Sequence, residues 1–346
     1  MKSLLTKARQ YIEQAHNPII FFDDDADGLC SALLLHRTFD KGHCIVLGGA
    51  QEQLAMTVAR KIEEYTPDLV IFADKAVIPL DILESLPQTI WIDHHEPQEV
   101  SNNVLYVNPQ LFDSNDNRPT TYWVYELCGR PPKDLWMAAL GIIADWQLTD
   151  VFDTFSKDYK HLIDDAKTAP EVMFTTPFGL LIRLFSFNLH GKSTDRRKAI
   201  NILSRVTSPE EILEQRTDQT KLLYKRYLFF QKQYEALHKD IVANAKVNDK
   251  HVIFTYGDTR TSFTSYVSNQ LLFEHPGKLI VIARLRNNTY RCSFRITPPY
   301  DLSGALAKVF TRFPGEGGGH MQACGARIPE AVFADVIAAL EEELFQ

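Results

Sequence analysis

The stretch IIFFDDDADGLCSALLLHRTF, residues 19–39, decides how the rest of the chain is read. Its first four residues, Ile19 to Phe22, are an unbroken apolar run, the pattern of a short strand buried on both faces. Ser31 to Phe39 then brings back apolar residues at helical spacing. Between the two lies the acidic turn Asp23-Asp24-Asp25-Ala26-Asp27-Gly28. A strand, a polar turn and a helix are the opening half of a βαβ unit.

The pattern repeats outward. Cys44 to Leu47, Leu69 to Phe72 and Thr89 to Ile92 are further strand-like runs, and Gln53 to Tyr65 is amphipathic enough for a crossover helix. The first half is therefore expected to be α/β, a doubly wound parallel sheet. From Phe178 to Val247 the pattern is helical and charge-rich. HVIFTYG, KLIVIARLR and TYRCSFRIT then read as strands, followed by a helix at Leu302 to Phe310, a glycine-rich loop and a last helix from Pro329. The expected division is a first domain over 1–195, a helical connector over 196–248 and a smaller α/β domain over 249–346, with a cleft between the two lobes.

Composition narrows the function. The chain has 346 residues with 45% hydrophobic content, enough for two moderate cores. It contains no apolar stretch of bilayer-spanning length and its first residues carry charge too early for a signal peptide, so it reads as soluble and cytoplasmic. The cysteines, Cys30, Cys44, Cys128, Cys292 and Cys324, are widely spaced without a C-x-x-C pair and are expected to be reduced thiols. A formal charge of −7 repels polyanions on average, so a nucleic-acid substrate has to be gripped locally or through cations.

The apolar runs of the first half end in groups that bind cations. Phe22 runs into Asp23, Asp25 and Asp27; VIFA, ending at Ala73, into Asp74; and TIWI into Asp93-His94-His95. In an open parallel sheet the carboxyl ends of neighbouring strands meet at one crevice. Taken singly, Asp74 reads as a turn or helix-capping residue and Asp93 to His95 as a cap with two exposed histidines. Taken together they gather carboxylates whose desolvation has to be offset by cations. Hard oxygens with imidazole suit Mn²⁺ or Mg²⁺, and two ions can clamp the attacking and leaving oxygens of a phosphoryl displacement.

At this point the chain resembles the DHH phosphoesterases. DDDADGLCS is similar to the first motif of that family, VIFADKA to the second, and WIDHHEP contains the Asp-His-His that names it. YVNPQLFDSNDNRPTTYWVYEL resembles its asparagine-proline segment, and AALGIIADWQL the motif contributing Asp145. Residues 291–329, with a glycine cluster before a histidine, resemble the DHH-associated C-terminal domain. The resemblance implies Asp25, Asp27, Asp74, His94 and Asp145 as ligands of two Mn²⁺ or Mg²⁺ ions, Asp74 bridging them. It implies His95 facing the scissile phosphate and Asp93 orienting an imidazole.

In many relatives a histidine precedes the Asp25 position by four residues, where this chain has Phe21. The first ion is then bound through Asp23, weakly held or absent. Lys75 is expected to point to solvent. Arg295, Gly317, Gly318, Gly319 and His320 are expected to bind the substrate's terminal phosphate, the glycines as a loop whose N–H groups form an anion nest. Trp146, Tyr122 and Trp123 are candidate stacking platforms for a base, against the commoner role of core aromatics.

The function implied is a metal-dependent phosphodiesterase or exonuclease acting on dinucleotides or short oligonucleotides, with homodimer formation left open. Two alternatives stand beside it. One is a RecJ-like exonuclease on long single strands, which the Asp-Ala-Asp-Gly form of residues 25–28 resembles more than the nanoRNase type. The other is a non-catalytic nucleic-acid-binding relative, which Phe21 favours.

Overall fold

The computed structural model describes residues 1–48, 51–257 and 261–345. They form two compact units, Met1–Leu228 and Phe229–Gln346. The division falls inside the long helix Asp218–Asn244, so the helical stretch read as a connector is shared between the two.

The first unit is built on a parallel sheet of β1 (Pro18–Asp23), β2 (His43–Leu47), β3 (Leu69–Ala73), β4 (Thr89–Ile92) and β5 (Val104–Val107). Their order is β2-β1-β3-β4-β5, with every pairing parallel. The chain order reverses between β1 and β3, and a doubly wound sheet opens its ligand crevice at such a switch. Alternation of side chains puts Ile19 and Phe21 into one core with Val70, Phe72 and Trp91, covered by Leu54 and Val58 of the helix Gln51–Tyr65. The helix Ala26–Phe39 packs against Thr120–Leu127 and Leu135–Ala144, and its residues Ala26 to Leu35 are all buried. Shielding on both sides is why β1, β3 and β4 are apolar nearly throughout, whereas β2, at the edge, is only partly covered. β5 is an addition to the strands expected from sequence, because VLYV is only four residues long and its last two open the asparagine-proline segment.

The second unit carries a mixed sheet of β6 (Lys246–Val247), β7 (His251–Tyr256), β8 (Leu279–Arg286), β9 (Thr289–Arg295), β10 (Glu316–His320) and β11 (Ala323–Pro329), ordered β10-β11-β9-β8-β7-β6. β8 turns into β9 through Asn287-Asn288, both at positive φ (51° and 57°), as a tight two-residue hairpin needs. The core of this unit joins Leu279, Val281 and Phe294 of the sheet to Leu302, Leu306 and Val309 of the helix Leu302–Phe310 and Val336 and Leu340 of Phe333–Leu344.

One expectation is corrected here. The glycine-rich segment is an edge strand, β10, laddered to β11 from Glu316↔Arg327 to His320↔Ala323. A Cβ on Gly317 would stand 2.5 Å from the Gly325 carbonyl oxygen, and one on Gly319 2.3 Å from that of Ala323. These glycines admit the neighbouring backbone, and of Gly317 to Gly319 only Gly319 has positive φ, so the segment is not an anion nest. The five cysteines are unpaired, as expected, and among the described residues no helix is long and apolar enough to cross a membrane.

Candidate metal centre

β1, β3 and β4 end side by side, and the residues that follow them build the centre. Asp25 caps the helix Ala26–Phe39, its Oδ1 accepting from the Gly28 N–H at 2.9 Å. Asp27, in the first turn of that helix, is buried, and each of its carboxylate oxygens accepts a backbone N–H. Thr121 donates to Oδ1 at 2.8 Å and Thr120 to Oδ2 at 2.9 Å, both from the first turn of the helix Thr120–Leu127. Asp74 leaves β3 in the left-handed region, φ 60°, which an aspartate tolerates better than most residues. Its Oδ1 accepts from the Thr120 hydroxyl at 3.1 Å.

His94 comes from the end of β4. Its Nδ1 lies 3.2 Å from the Asn117 carbonyl, while Nε2 lies 3.5 Å from Asp74 Oδ1 and 3.6 Å from Asp145 Oδ2. The ligand atoms of Asp27, Asp74 and His94 all fall within 4.8 Å of one another and all three residues are buried. Asp145 ends the helix Leu135–Ala144 and remains partly exposed. Hard oxygens plus one nitrogen, converging this closely, fit Mn²⁺ or Mg²⁺. The electrostatics agree, since without a cation the carboxylates are forced toward protonation. Burial, then the charge of Asp145, pushes Asp27 up; burial, then the charge of Asp27, does the same to Asp74. Asp25 reaches solvent, yet desolvation and the charges of Asp74 and Asp23 raise it too.

Asp93 has no exposed surface and takes His95 rather than His94. Its Oδ1 pairs with His95 Nδ1 at 2.7 Å and its Oδ2 accepts the His95 N–H at 3.1 Å. Desolvation alone would lower the His95 pKa, but the Asp93 hydrogen bond and charge, with Asp74 and Asp145, push it up to about 10. The pairing with Asp93 favours the imidazolium form of the ring.

Several residues that position the site are beyond those the sequence reading singles out. Asn108 donates from Nδ2 to the His95 carbonyl at 2.9 Å, and Gln110 donates from Nε2 to the His94 carbonyl at 2.6 Å, so the asparagine-proline segment holds the backbone of both histidines. Thr120, Thr121 and Asn117 act as described above. The signal available is that segment itself, a motif whose contacts the sequence leaves unassigned.

Other expectations are corrected. Lys75 does not point to solvent: its Nζ lies 2.6 Å from Asp23 Oδ1, and the two side chains are 15% and 30% exposed. Desolvation of its ammonium is outweighed by Asp23, Asp24 and Asp25, so its pKa is raised. Tyr122 and Trp123 are buried and the Arg118 guanidinium lies over both rings, at 4.6 and 4.4 Å, which removes them as stacking platforms. Trp146 is half-buried and packs edge-on to Phe174. In the second unit Arg295 donates through Nε to Asn269 at 2.6 Å and through Nη1 to the Ser293 hydroxyl and the Phe294 carbonyl. Its guanidinium is thus held in place on β9, opposite Ala323 of β11. His320 closes β10 at an exposed position.

Comparison with known proteins identifies the two domains. The model of the DHH family N-terminal domain matches residues 17–144, and that of the DHHA1 domain matches residues 249–345. Among solved structures the chain is similar to RecJ from Thermus thermophilus in complex with Mn²⁺, at 19% identity and a TM-score of 0.69, covering 98% of this chain. It spans only 54% of that RecJ chain. It is also similar to PggH, a pGpG-specific phosphodiesterase from Vibrio cholerae, at 14% identity and a TM-score of 0.54, covering 95% of this chain and 98% of that one. CDC45 from Entamoeba histolytica matches over 99% of this chain and 97% of its own at 10% identity and a TM-score of 0.52. No curated protein sequence matches the chain.

Proposed function

Because the chain is a DHH-family phosphoesterase carrying a DHHA1 domain at its C-terminal side, we propose that it is a divalent-cation-dependent phosphodiesterase that hydrolyses dinucleotides or short oligonucleotides. The observation that carries the reading is the buried convergence of Asp27, Asp74 and His94, with Asp145 Oδ2 3.6 Å from His94 Nε2, at the switch point of the sheet.

These residues hold Mn²⁺ or Mg²⁺. A cation there supplies Lewis acidity, polarising a phosphoryl oxygen and acidifying water. The remaining work belongs to the chain. Thr120 and Thr121 tie Asp27 and Asp74 in place through four hydrogen bonds, so that the donors are preorganised. The His95 imidazolium, fixed on Asp93, lends positive charge and a hydrogen bond to the oxygen on which charge develops. Within the second unit Arg295, held on β9, and His320, at the end of β10, are the side chains that suit a phosphate; with β10 a strand, Gly318 offers open space and side chains supply the charge.

Short substrates fit a chain of net charge −7, which grips a few phosphates at one point instead of tracking a long backbone. The resemblance to a pGpG-specific phosphodiesterase over nearly the full length of both chains supports the same reading. The Asp-Ala-Asp-Gly form of residues 25–28 favours a second one, an exonuclease on longer single strands. Hydrolysis of a dinucleotide, a five-mer and a long single strand, each with Mn²⁺, separates them. The proposal expects the highest kcat/KM on the two short substrates; a kcat/KM that keeps rising with length would replace it with the second reading.

A further inference from the structure

A phosphoryl displacement clamped on both sides uses two cations about 3.5–4 Å apart. In this chain a side chain already sits among the carboxylates on the Asp23 side of the trio. Lys75 follows Asp74 directly, and its ammonium meets Asp23 Oδ1 at 2.6 Å with both side chains largely covered. The pair is built in. The fully buried Trp91 donates from Nε1 to the Lys75 carbonyl at 2.9 Å, so the same turn that brings Asp74 to the trio, at φ 60°, brings Lys75 to Asp23. The charge of Asp23 also acts on Asp25 and Asp74, which places the ammonium within the field of the whole cluster. Phe21 on the same strand adds no donor; it has no exposed surface and its ring stacks on Phe72 at 5.4 Å.

We propose that the Lys75 ammonium takes the place of a second divalent ion, so that this chain works with one ion on Asp27, Asp74 and His94 and one built-in cation on Asp23. A carboxylate oxygen bound to Mg²⁺ lies at about 2.0–2.1 Å, and one of the two Asp23 oxygens, Oδ1, is already engaged by the ammonium. The substitution has a chemical consequence. An ammonium stabilises negative charge on a phosphoryl oxygen and donates hydrogen bonds, but it does not acidify water as a metal ion does. Water activation therefore stays with the single ion, and Lys75 serves the charge of the substrate phosphate.

The inference rests on the trio being a metal site, and the test separates the two. Mn²⁺ is titrated into the full chain by calorimetry and followed by electron paramagnetic resonance, for wild type, Lys75→Gln, Lys75→Arg and Asp74→Ala. The expected result is one Mn²⁺ per wild-type chain with the six-line signal of an isolated ion, one for Lys75→Arg, a second weaker Mn²⁺ with an exchange-coupled signal for Lys75→Gln, and loss of binding for Asp74→Ala. Two ions with a coupled signal in wild type overturn the inference and leave the metal reading standing, as does a single ion in a folded Lys75→Gln. No binding by wild type, or binding untouched by Asp74→Ala, overturns both. The wild-type stoichiometry decides even if Lys75→Gln does not fold.

Discussion

Asp93 holds His95 through Nδ1 and N–H while having no exposed surface of its own, and its carboxylate also lies close to Asp74 and His95, so two roles, orienting the ring and holding a metal, have to be told apart. Asp93→Asn keeps the shape but removes the charge that keeps the imidazolium in place. The expected outcome is a kcat lower by about 10²-fold with Mn²⁺ affinity changed by no more than a few-fold; loss of Mn²⁺ binding would assign Asp93 to the metal instead. A second residue carries a pH dependence of its own. His190 is held down to about 4 by burial and by the charges of Arg196 and Arg226. An unfolded histidine titrates near 6.5, so between these values the unfolded chain binds the extra proton. The stability contributed is complete above pH of about 6.5 and is lost as pH falls toward 4, by up to about 3 kcal/mol. Thermal melts between pH 4 and 7.5 should show wild type losing stability relative to His190→Phe across that window, and parallel curves would contradict it.

Two elements, the turn after β1 and the asparagine-proline segment after β5, decide whether the donors converge. Gly28 lets the turn close, since a Cβ there would lie 2.7 Å from the Asp23 carbonyl oxygen and 2.8 Å from its nitrogen, both backbone atoms that cannot swing away. Gly28→Ala is expected to cost about 1–3 kcal/mol by overpacking, visible as a lower Tm, and to weaken Mn²⁺ binding because Asp27 directly precedes the position. Asn108 is fully buried and donates to the His95 carbonyl and the Tyr106 hydroxyl. Asn108→Ala leaves that carbonyl without its donor, and is expected to cost about 1–3 kcal/mol and lower kcat; an unchanged melt and kcat would show that the segment does not position the histidines. At this scale much is legible in the sequence. β1, β3 and β4 stand out as apolar runs and their terminal Asp and His residues as a cluster, because strands buried on both faces leave no ambiguity of period. β10 reads as a loop because glycine has little strand preference of its own, and its pairing with β11 is tertiary. The general habit of lysines assigns Lys75 to solvent, and a covered aspartate overrides that habit. Thr120, Thr121 and Asn117 give no signal, because backbone N–H and C=O groups do part of their work and carry no residue identity.

The whole chain joins a unit that gathers carboxylates at the end of a parallel sheet to a unit with a mixed sheet that presents Arg295 and His320. With a net charge of −7, a phosphate has to be gripped by local positive groups or through a cation. In the proposed function Asp27, Asp74 and His94 form a metal centre for phosphodiester hydrolysis, and Asp74, buried beside Asp27 and His94, is the residue on which it depends most. The direct measurement is hydrolysis of a dinucleotide by wild type and Asp74→Ala, with Mn²⁺ and with a chelator. The expected result is cleavage by wild type only with Mn²⁺ and at least about 10³-fold slower cleavage by the variant, a barrier change of roughly 4 kcal/mol, with the variant still folded by circular dichroism. Cleavage that survives the chelator, or an Asp74→Ala variant as active as wild type, would contradict it.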